Sequence, residues 1–201
     1  MKHFIGFYNK SVILTYVGAV AAVVGIALSL LGNLKFALLC LVVCGVSDVF
    51  DGMIARRCKR SEDEKSFGIQ IDSLTDMVSF AVFPVVISFA LGNTAWYHIA
   101  ACSLYILSAI TRLGYFNAVT ATGENKGVYL GLPVTFSSLI TVFAYLLGRT
   151  LGIADILVFV GLLIMSLLFV LKFNFKKPSG IMYVFIGLLA VVMAVGVIIL
   201  G

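Results

Sequence analysis

Charge is scarce in this chain. Of its 201 residues 11% are Asp, Glu, Lys or Arg, and 62% are hydrophobic. A soluble domain carries roughly a quarter charged residues, so a water-soluble globule is excluded. Histidine is scarcer still. His3 and His98 lie far apart and neither neighbours another plausible ligand, which argues against a zinc site. The cysteines, Cys40, Cys44, Cys58 and Cys102, form no C-x-x-C pair. Cys40 and Cys44 share a helix face and read as small apolar packing groups. Internal repeats and low-complexity segments are absent.

What the chain has instead is long apolar runs. They cover about 12–31, 34–56, 69–91, 95–117, 131–148, 152–171 and 180–200. Each is long enough to cross a hydrocarbon core, which takes about 20 residues, and each must be helical, because a lone strand leaves its backbone unsatisfied in lipid. The expected fold is therefore an all-α, polytopic membrane helix bundle of about seven transmembrane helices (six to eight), with residues 1–201 forming one domain. Gly32-Asn33 and Gly92-Asn93-Thr94 read as short turns between spans. The first run is read as a retained span and not a cleaved signal peptide, being long for an h-region and followed by no clear A-x-A site.

The few charges are unevenly placed. Lys2 and Lys10 precede the first span, and Lys35 is alone in the next loop. Arg56, Arg57, Lys59, Arg60 and Lys65 crowd the second loop, and the third has no Lys or Arg. Lys126 lies in the fourth loop, Arg149 borders the fifth, and Lys172, Lys176 and Lys177 lie in the sixth. Rich loops alternate with poor ones, which predicts a cytoplasmic N-terminus, cytoplasmic loops two, four and six, and an external C-terminus. The net charge of +5 then reflects contact with anionic headgroups rather than with nucleic acid.

Against this background the acids of "SDVFDGMIARRCKRSEDEKSFGIQIDSLTDMVSF" (47–80) stand out. Asp48, Asp51, Gly52, Ala55 and Arg56 follow i, i+3, i+4, i+7, i+8, one stripe near the cytoplasmic end of the second span. Gly68, Asp72 and Asp76 follow i, i+4, i+8 at the start of the third. A short polar link makes the two helices antiparallel neighbours, so two pairs of carboxylates face each other at one depth. Acids inside a span face the bundle interior and mark sites. Bare, four close carboxylates would repel; their formal charge of −4 balances two divalent cations. Hard oxygen ligands select Mg²⁺, Mn²⁺ or Ca²⁺ over softer metals. Gly52 and Gly68 let backbone approach a ligand, Ala55 leaves room, and Arg56 can neutralise an anion. A single D-x-x-D near a helix end is usually a solvated feature; two such pairs on adjoining helices are not. The mixed run "RCKRSEDEK" (57–65) reads as a solvated loop.

These residues resemble the signature of the CDP-alcohol phosphotransferases, D-x2-D-G-x2-A-R…G-x3-D-x3-D. Asp48, Asp51, Gly52, Ala55, Arg56, Gly68, Asp72 and Asp76 occupy every fixed position. The stretch between the halves, 57–67, is longer than is usual in the family. "DSLTDMVSF" (72–80), "RLGYFN" (112–117) and "GLP" (131–133) further resemble the integral-membrane branch that uses serine as acceptor.

The resemblance implies a reaction: CDP-diacylglycerol, or a CDP-archaeol-type lipid, plus L-serine gives phosphatidylserine and CMP. It implies Asp48, Asp51, Asp72 and Asp76 as ligands of Mg²⁺ or Mn²⁺, two ions in all, with Ca²⁺ able to occupy the site. Asp76 would also be the catalytic base. Asp48, Gly52, Ala55, Arg56 and Gly68 would bind the CDP-lipid. Arg112, Asn117 and Lys126 are candidates for serine binding, with Tyr129 beside Lys126. The rival for Arg112 is snorkelling to headgroups, and for Asn117 a helix-end role. A homodimer in the cell membrane, its active site cytoplasmic, is also implied. Two other readings stand beside this one: a sister enzyme accepting glycerol phosphate or inositol phosphate, which would call for a larger Lys/Arg cluster, and a cation transporter, for which repeats and midplane acids are the usual marks.

Overall fold

The computed structural model describes residues 5–8, 12–121, 128–176 and 181–201. Eight α-helices are defined among these residues: α1 (Ile13–Leu30), α2 (Leu34–Arg57), α3 (Glu62–Asp76), α4 (Phe83–Ala90), α5 (Trp96–Ala121), α6 (Phe136–Leu151), α7 (Ala154–Val170) and α8 (Ile181–Leu200). A π-helical stretch, Met77–Val82, joins α3 to α4 without a break. The chain is a polytopic membrane helix bundle. Four helical stretches are long and apolar enough to cross a membrane: Ile13–Leu30, Leu34–Ala55, Glu62–Ala90 and Trp96–Val119. Phe136–Leu151, Ala154–Val170 and Val184–Leu200 are shorter apolar helices.

Two expected boundaries move. The third span begins at Glu62 and not near 69, so most of "RCKRSEDEK" is helix and the non-helical link is Cys58–Ser61. The cause is local. Ser61 caps α3, accepting from the Glu64 amide at 3.2 Å while the Glu64 carboxylate accepts from the Ser61 amide at 2.9 Å. Glu62, Asp63 and Glu64 then place three acids in the first turn, where the helix dipole favours negative charge. The fifth span begins at Phe136 and not at 131, which leaves α6 at 16 residues. Residues 128–130 form a strand, β1 (Val128–Leu130), antiparallel to β2 (Asn174–Lys176), an element the hydropathy pattern does not announce. Gly131 leaves β1 with φ +75°, and a Cβ there would meet the Phe169 carbonyl oxygen at 3.0 Å, so glycine is required. Its amide donates to Phe173 and that of Leu132 to Leu168, which pins "GLP" to the end of α7 and delays α6.

Lipid tails are as apolar as Leu, so membrane helices associate by close packing of small residues. α1 shows this. Its buried face is Thr15, Gly18, Ala22, Gly25 and Ser29, and it packs along α2. A Cβ on Gly25 would strike the Phe83 ring and lie 2.8 Å from the Cys40 Cβ. Cys44 is buried and Cys40 half-buried, both free thiols in packing roles. α1 also reaches α3, the π stretch and α4, so it lines both halves of the acidic signature.

The connections gather by side. The turn after α4 is tied to the start of α7 through Asn93, whose amide donates to Ser88 at 3.1 Å and to the Asp155 carbonyl at 2.9 Å. Lys35 donates to the Ile198 carbonyl and Arg149 to that of Leu200, so two cations serve the C-terminal carbonyls of α8. The β1–β2 pair and the Cys58–Ser61 link lie at the other ends of these helices.

Candidate functional site

The acids sit where α2 and α3 approach at the end bearing the Cys58–Ser61 link. One carboxylate oxygen each from Asp48, Asp72 and Asp76 lie within 4.8 Å of one another, close enough to hold one metal ion. Asp51 is buried one turn further along α2 and lines the same two cavities as Asp48 and Asp72. The second span and the continuous helix from α3 to α4 are neighbours, as expected: α4 packs on α2, and the acids of α2 and α3 meet through their side chains. α3 itself packs on α1 and α5.

Each acid of α2 is held from a different helix. The Thr15 hydroxyl on α1 donates to Asp51 Oδ2 at 2.8 Å, and the Thr135 hydroxyl before α6 donates to Asp48 Oδ2 at 2.8 Å. Sequence reasoning missed both threonines. They are 36 and 87 residues from their partners, and a lone threonine has no local signature. Thr135 follows directly from "GLP": pinning that segment to α7 is what brings the hydroxyl to Asp48.

Two cavities meet at the acids. The larger, about 190 Å³, is lined by Asp48, Asp51, Gly52, Asp72 and Thr135 together with the apolar Val42, Val46, Leu139, Ile186 and Ala190. Its apolar lining comes from α2, α6 and α8. The smaller is an inner cleft among Thr15, Ser47, Thr75, Ser79 and all four aspartates. Cys44 also lines the cleft, its thiol donating to the Gly18 carbonyl oxygen; the carboxylates and hydroxyls around it suit Mg²⁺, Mn²⁺ or Ca²⁺.

The remaining candidates divide. Gly52 lines the larger cavity, and Ala55 is half-buried one turn on. The Arg56 side chain lies outside the described residues, as do Lys126 and the side chain of Tyr129. Gly68 is overlain by Arg60, whose Nη1 would stand 3.2 Å from an added Cβ; the Arg60 Nε is buried with no hydrogen-bond partner among the described residues. Arg60, in the Cys58–Ser61 link, thus lays its side chain on α3 while its neighbours Lys59 and Ser61 are exposed. Arg112 is buried, 6% exposed, with its guanidinium 5.5 Å from the Phe116 ring centroid, which is not the geometry of snorkelling to headgroups. Asn117 is not at a helix end either, since α5 continues to Ala121. Its Oδ1 accepts from Ser73 at 3.0 Å, which ties α5 to the residue beside Asp72.

Comparison with known proteins agrees with the geometry. Archaetidylserine synthase of Methanothermobacter thermautotrophicus is 31% identical over 157 residues, covering 77% of this chain and 66% of that protein. CDP-diacylglycerol–serine O-phosphatidyltransferase of Saccharomyces cerevisiae is 35% identical over 112 residues, 52% of this chain and 39% of that protein. The enzyme of the same name from Methanocaldococcus jannaschii is 28% identical over 186 residues, 91% and 82%. The chain thus spans less than two thirds of the length of the first two. The family model for CDP-alcohol phosphatidyltransferase matches residues 8–200, nearly the whole sequence. The chain belongs to the CDP-alcohol phosphatidyltransferase family.

Proposed function

We propose that this protein transfers the phosphatidyl group of a CDP-activated diacyl or archaeol-type lipid to the hydroxyl of L-serine, releasing CMP. The observation that carries the reading is the convergence of Asp48, Asp72 and Asp76 within 4.8 Å, with Asp48 and Asp72 also lining a cavity whose other residues are largely apolar. A lipid-linked nucleotide has this division: an anionic pyrophosphate and apolar chains. Serine as acceptor is supported by the relatives, whose names specify it with either lipid. Family membership disfavours the transporter, and those names disfavour a phosphorylated acceptor.

Asp48, Asp51, Asp72 and Asp76 would hold Mg²⁺ or Mn²⁺, two ions by charge balance. When bound, such ions neutralise pyrophosphate and stabilise charge on the transferring phosphoryl group and the departing CMP. The chain supplies the rest. Thr15 and Thr135 fix the carboxylates of Asp51 and Asp48. Gly52 and Ala55 leave the nucleotide room along α2, and Arg56 and Gly68 belong to the same CDP-lipid pocket. Asp76 takes the serine hydroxyl proton as that oxygen attacks phosphorus; the serine O–P bond forms, the P–O bond to CMP breaks, and no covalent enzyme intermediate intervenes. Arg112, Asn117 and Lys126 are our candidates for holding the serine zwitterion. We further take residues 1–201 as one domain, acting as a homodimer in the cell membrane with the acids on the cytoplasmic side.

The test is CMP release from CDP-diacylglycerol and from CDP-archaeol with a panel of acceptor alcohols. Serine should support turnover, excess chelator should abolish it, and Mg²⁺ or Mn²⁺ should restore it, with Zn²⁺ serving poorly. Turnover with glycerol phosphate and none with serine would end the acceptor assignment while leaving the family intact. Full turnover in chelator would remove the metals from the mechanism.

A further inference from the structure

The helix that carries Asp72 and Asp76 changes its pitch immediately after Asp76. Met77–Val82 is π-helical, with the Phe83 amide bonded to the Val78 carbonyl five residues back. Single π turns inside α-helices are rare and often lie at functional sites. Here the cause is visible. Pro84 stands four residues after Phe80, so it has no amide hydrogen to give the Phe80 carbonyl, and its ring crowds that oxygen. The carbonyl is taken up from outside the helix. The Tyr105 hydroxyl on α5 donates to it at 2.6 Å, and the Ser137 hydroxyl on α6 at 2.9 Å. Both donors are fully buried, and two O–H groups satisfy both lone pairs of one carbonyl oxygen. Phe80 lies one turn from Asp76 and lines the same inner cleft as all four aspartates.

We propose that Tyr105 and Ser137 are positioning residues for Asp76. By gripping the Phe80 carbonyl from two helices, they fix the turn on which Asp76 stands, and so the height and angle at which its carboxylate meets Asp48 and Asp72. Tyr105, bonded to the Phe80 carbonyl oxygen, acts through the backbone. The inference rests on the reading of the acids as the metal site of the transfer reaction. Its interest is that α5 and α6, which carry none of the signature aspartates, set the geometry of the base.

The experiment uses the full chain in detergent or nanodiscs. Three variants are compared with wild type: Tyr105→Phe, Ser137→Ala and, as a control for losing a buried hydroxyl elsewhere, Ser166→Ala, whose hydroxyl donates to its own helix at Leu163 on α7. Mn²⁺ binding is read by electron paramagnetic resonance of the free ion, turnover by CMP release with serine, and fold by thermal melting. Removing a partner that orients a ligand costs about 10–100-fold in metal affinity or activity. Tyr105→Phe and Ser137→Ala are expected to weaken Mn²⁺ binding and lower kcat by that order, well below their melting temperatures, while Ser166→Ala changes neither. Wild-type Mn²⁺ affinity and kcat in both variants would overturn the inference. So would losses that merely follow the melting temperature, as the control would show. Wild-type protein that binds Mn²⁺ but does not use serine would sink the functional reading, and the Mn²⁺ ratios alone would then decide this one. Wild-type protein that binds no Mn²⁺ would end both.

Discussion

Asp48 and Asp51 each have one oxygen engaged by a threonine from outside α2, and Asp48 also converges with Asp72 and Asp76. Asp76 is buried one turn after Asp72 on α3, and the two meet Asp48 from the side opposite α2. The four acids are therefore not equivalent, and their variants should separate. Asp76→Asn should lower turnover by about 10²–10⁴-fold, the usual contribution of a general base, while CDP-lipid binding persists, because three carboxylates remain. Asp48→Asn and Asp51→Asn should instead lose metal and CDP-lipid binding together. The discriminating measurement is CDP-lipid affinity beside kcat for each variant. Near-normal turnover in Asp76→Asn would place the base elsewhere, and exchange of labelled CMP into the lipid without serine would make one aspartate a nucleophile. The acids themselves were legible as residues, because a spacing of three and four puts them on one stripe. The threonines were not, since nothing near them in the chain marks them.

Among the elements, α1 is the one whose position the site depends on most. It supplies Thr15, and it runs beside both α2 and the α3–α4 helix. That is possible because of its small-residue face. Gly25 admits the Phe83 ring and the Cys40 side chain at distances that no Cβ would allow. Gly25→Leu should therefore destabilise the bundle by about 1–3 kcal/mol through overpacking, read as a lower melting temperature in detergent and a smaller folded fraction. Phe83→Leu in the same background should return part of the loss. An unchanged melting temperature for Gly25→Leu would mean that α1 is free to move away. Element boundaries were less legible than element identity. The S-x-x-E box at Ser61–Glu64 starts α3 inside a run whose mixed charge reads as loop, and the pinned "GLP" segment delays α6 against its own hydropathy.

At the scale of the molecule, the two ends differ in chemistry. One carries the acids, the Cys58–Ser61 link and the β1–β2 pair; the other carries short turns and the C-terminal carbonyls of α8 held by Lys35 and Arg149. With the basic loops at the acid-bearing end, the positive-inside rule predicts that this end is cytoplasmic. A reporter fused after Lys59 should be cytoplasmic and one fused after Gly201 external. The same side for both would require one span more or fewer than the seven hydrophobic stretches from α1 to α8. In the proposed reaction a water-soluble acceptor would meet the acids from the cytoplasm, and a lipid-linked donor would reach them along the apolar residues of α2, α6 and α8.

Residue spacing and hydropathy alone determined the membrane class, the order of the helices and the identity of the acidic signature. Those depend on short-range periodicity: an apolar run must be helical in lipid, and i, i+4 residues must share its face whatever surrounds them. Only the tertiary structure decided how far apart α2 and α3 stand, that Thr15 and Thr135 orient two of the acids, that Arg60 folds onto Gly68, and that Phe80 is held by Tyr105 and Ser137. Arg60 and Gly68 apart, these contacts join residues tens of positions from each other. They form only when several helices have packed and one missing amide, at Pro84, has left a carbonyl to be satisfied from α5 and α6.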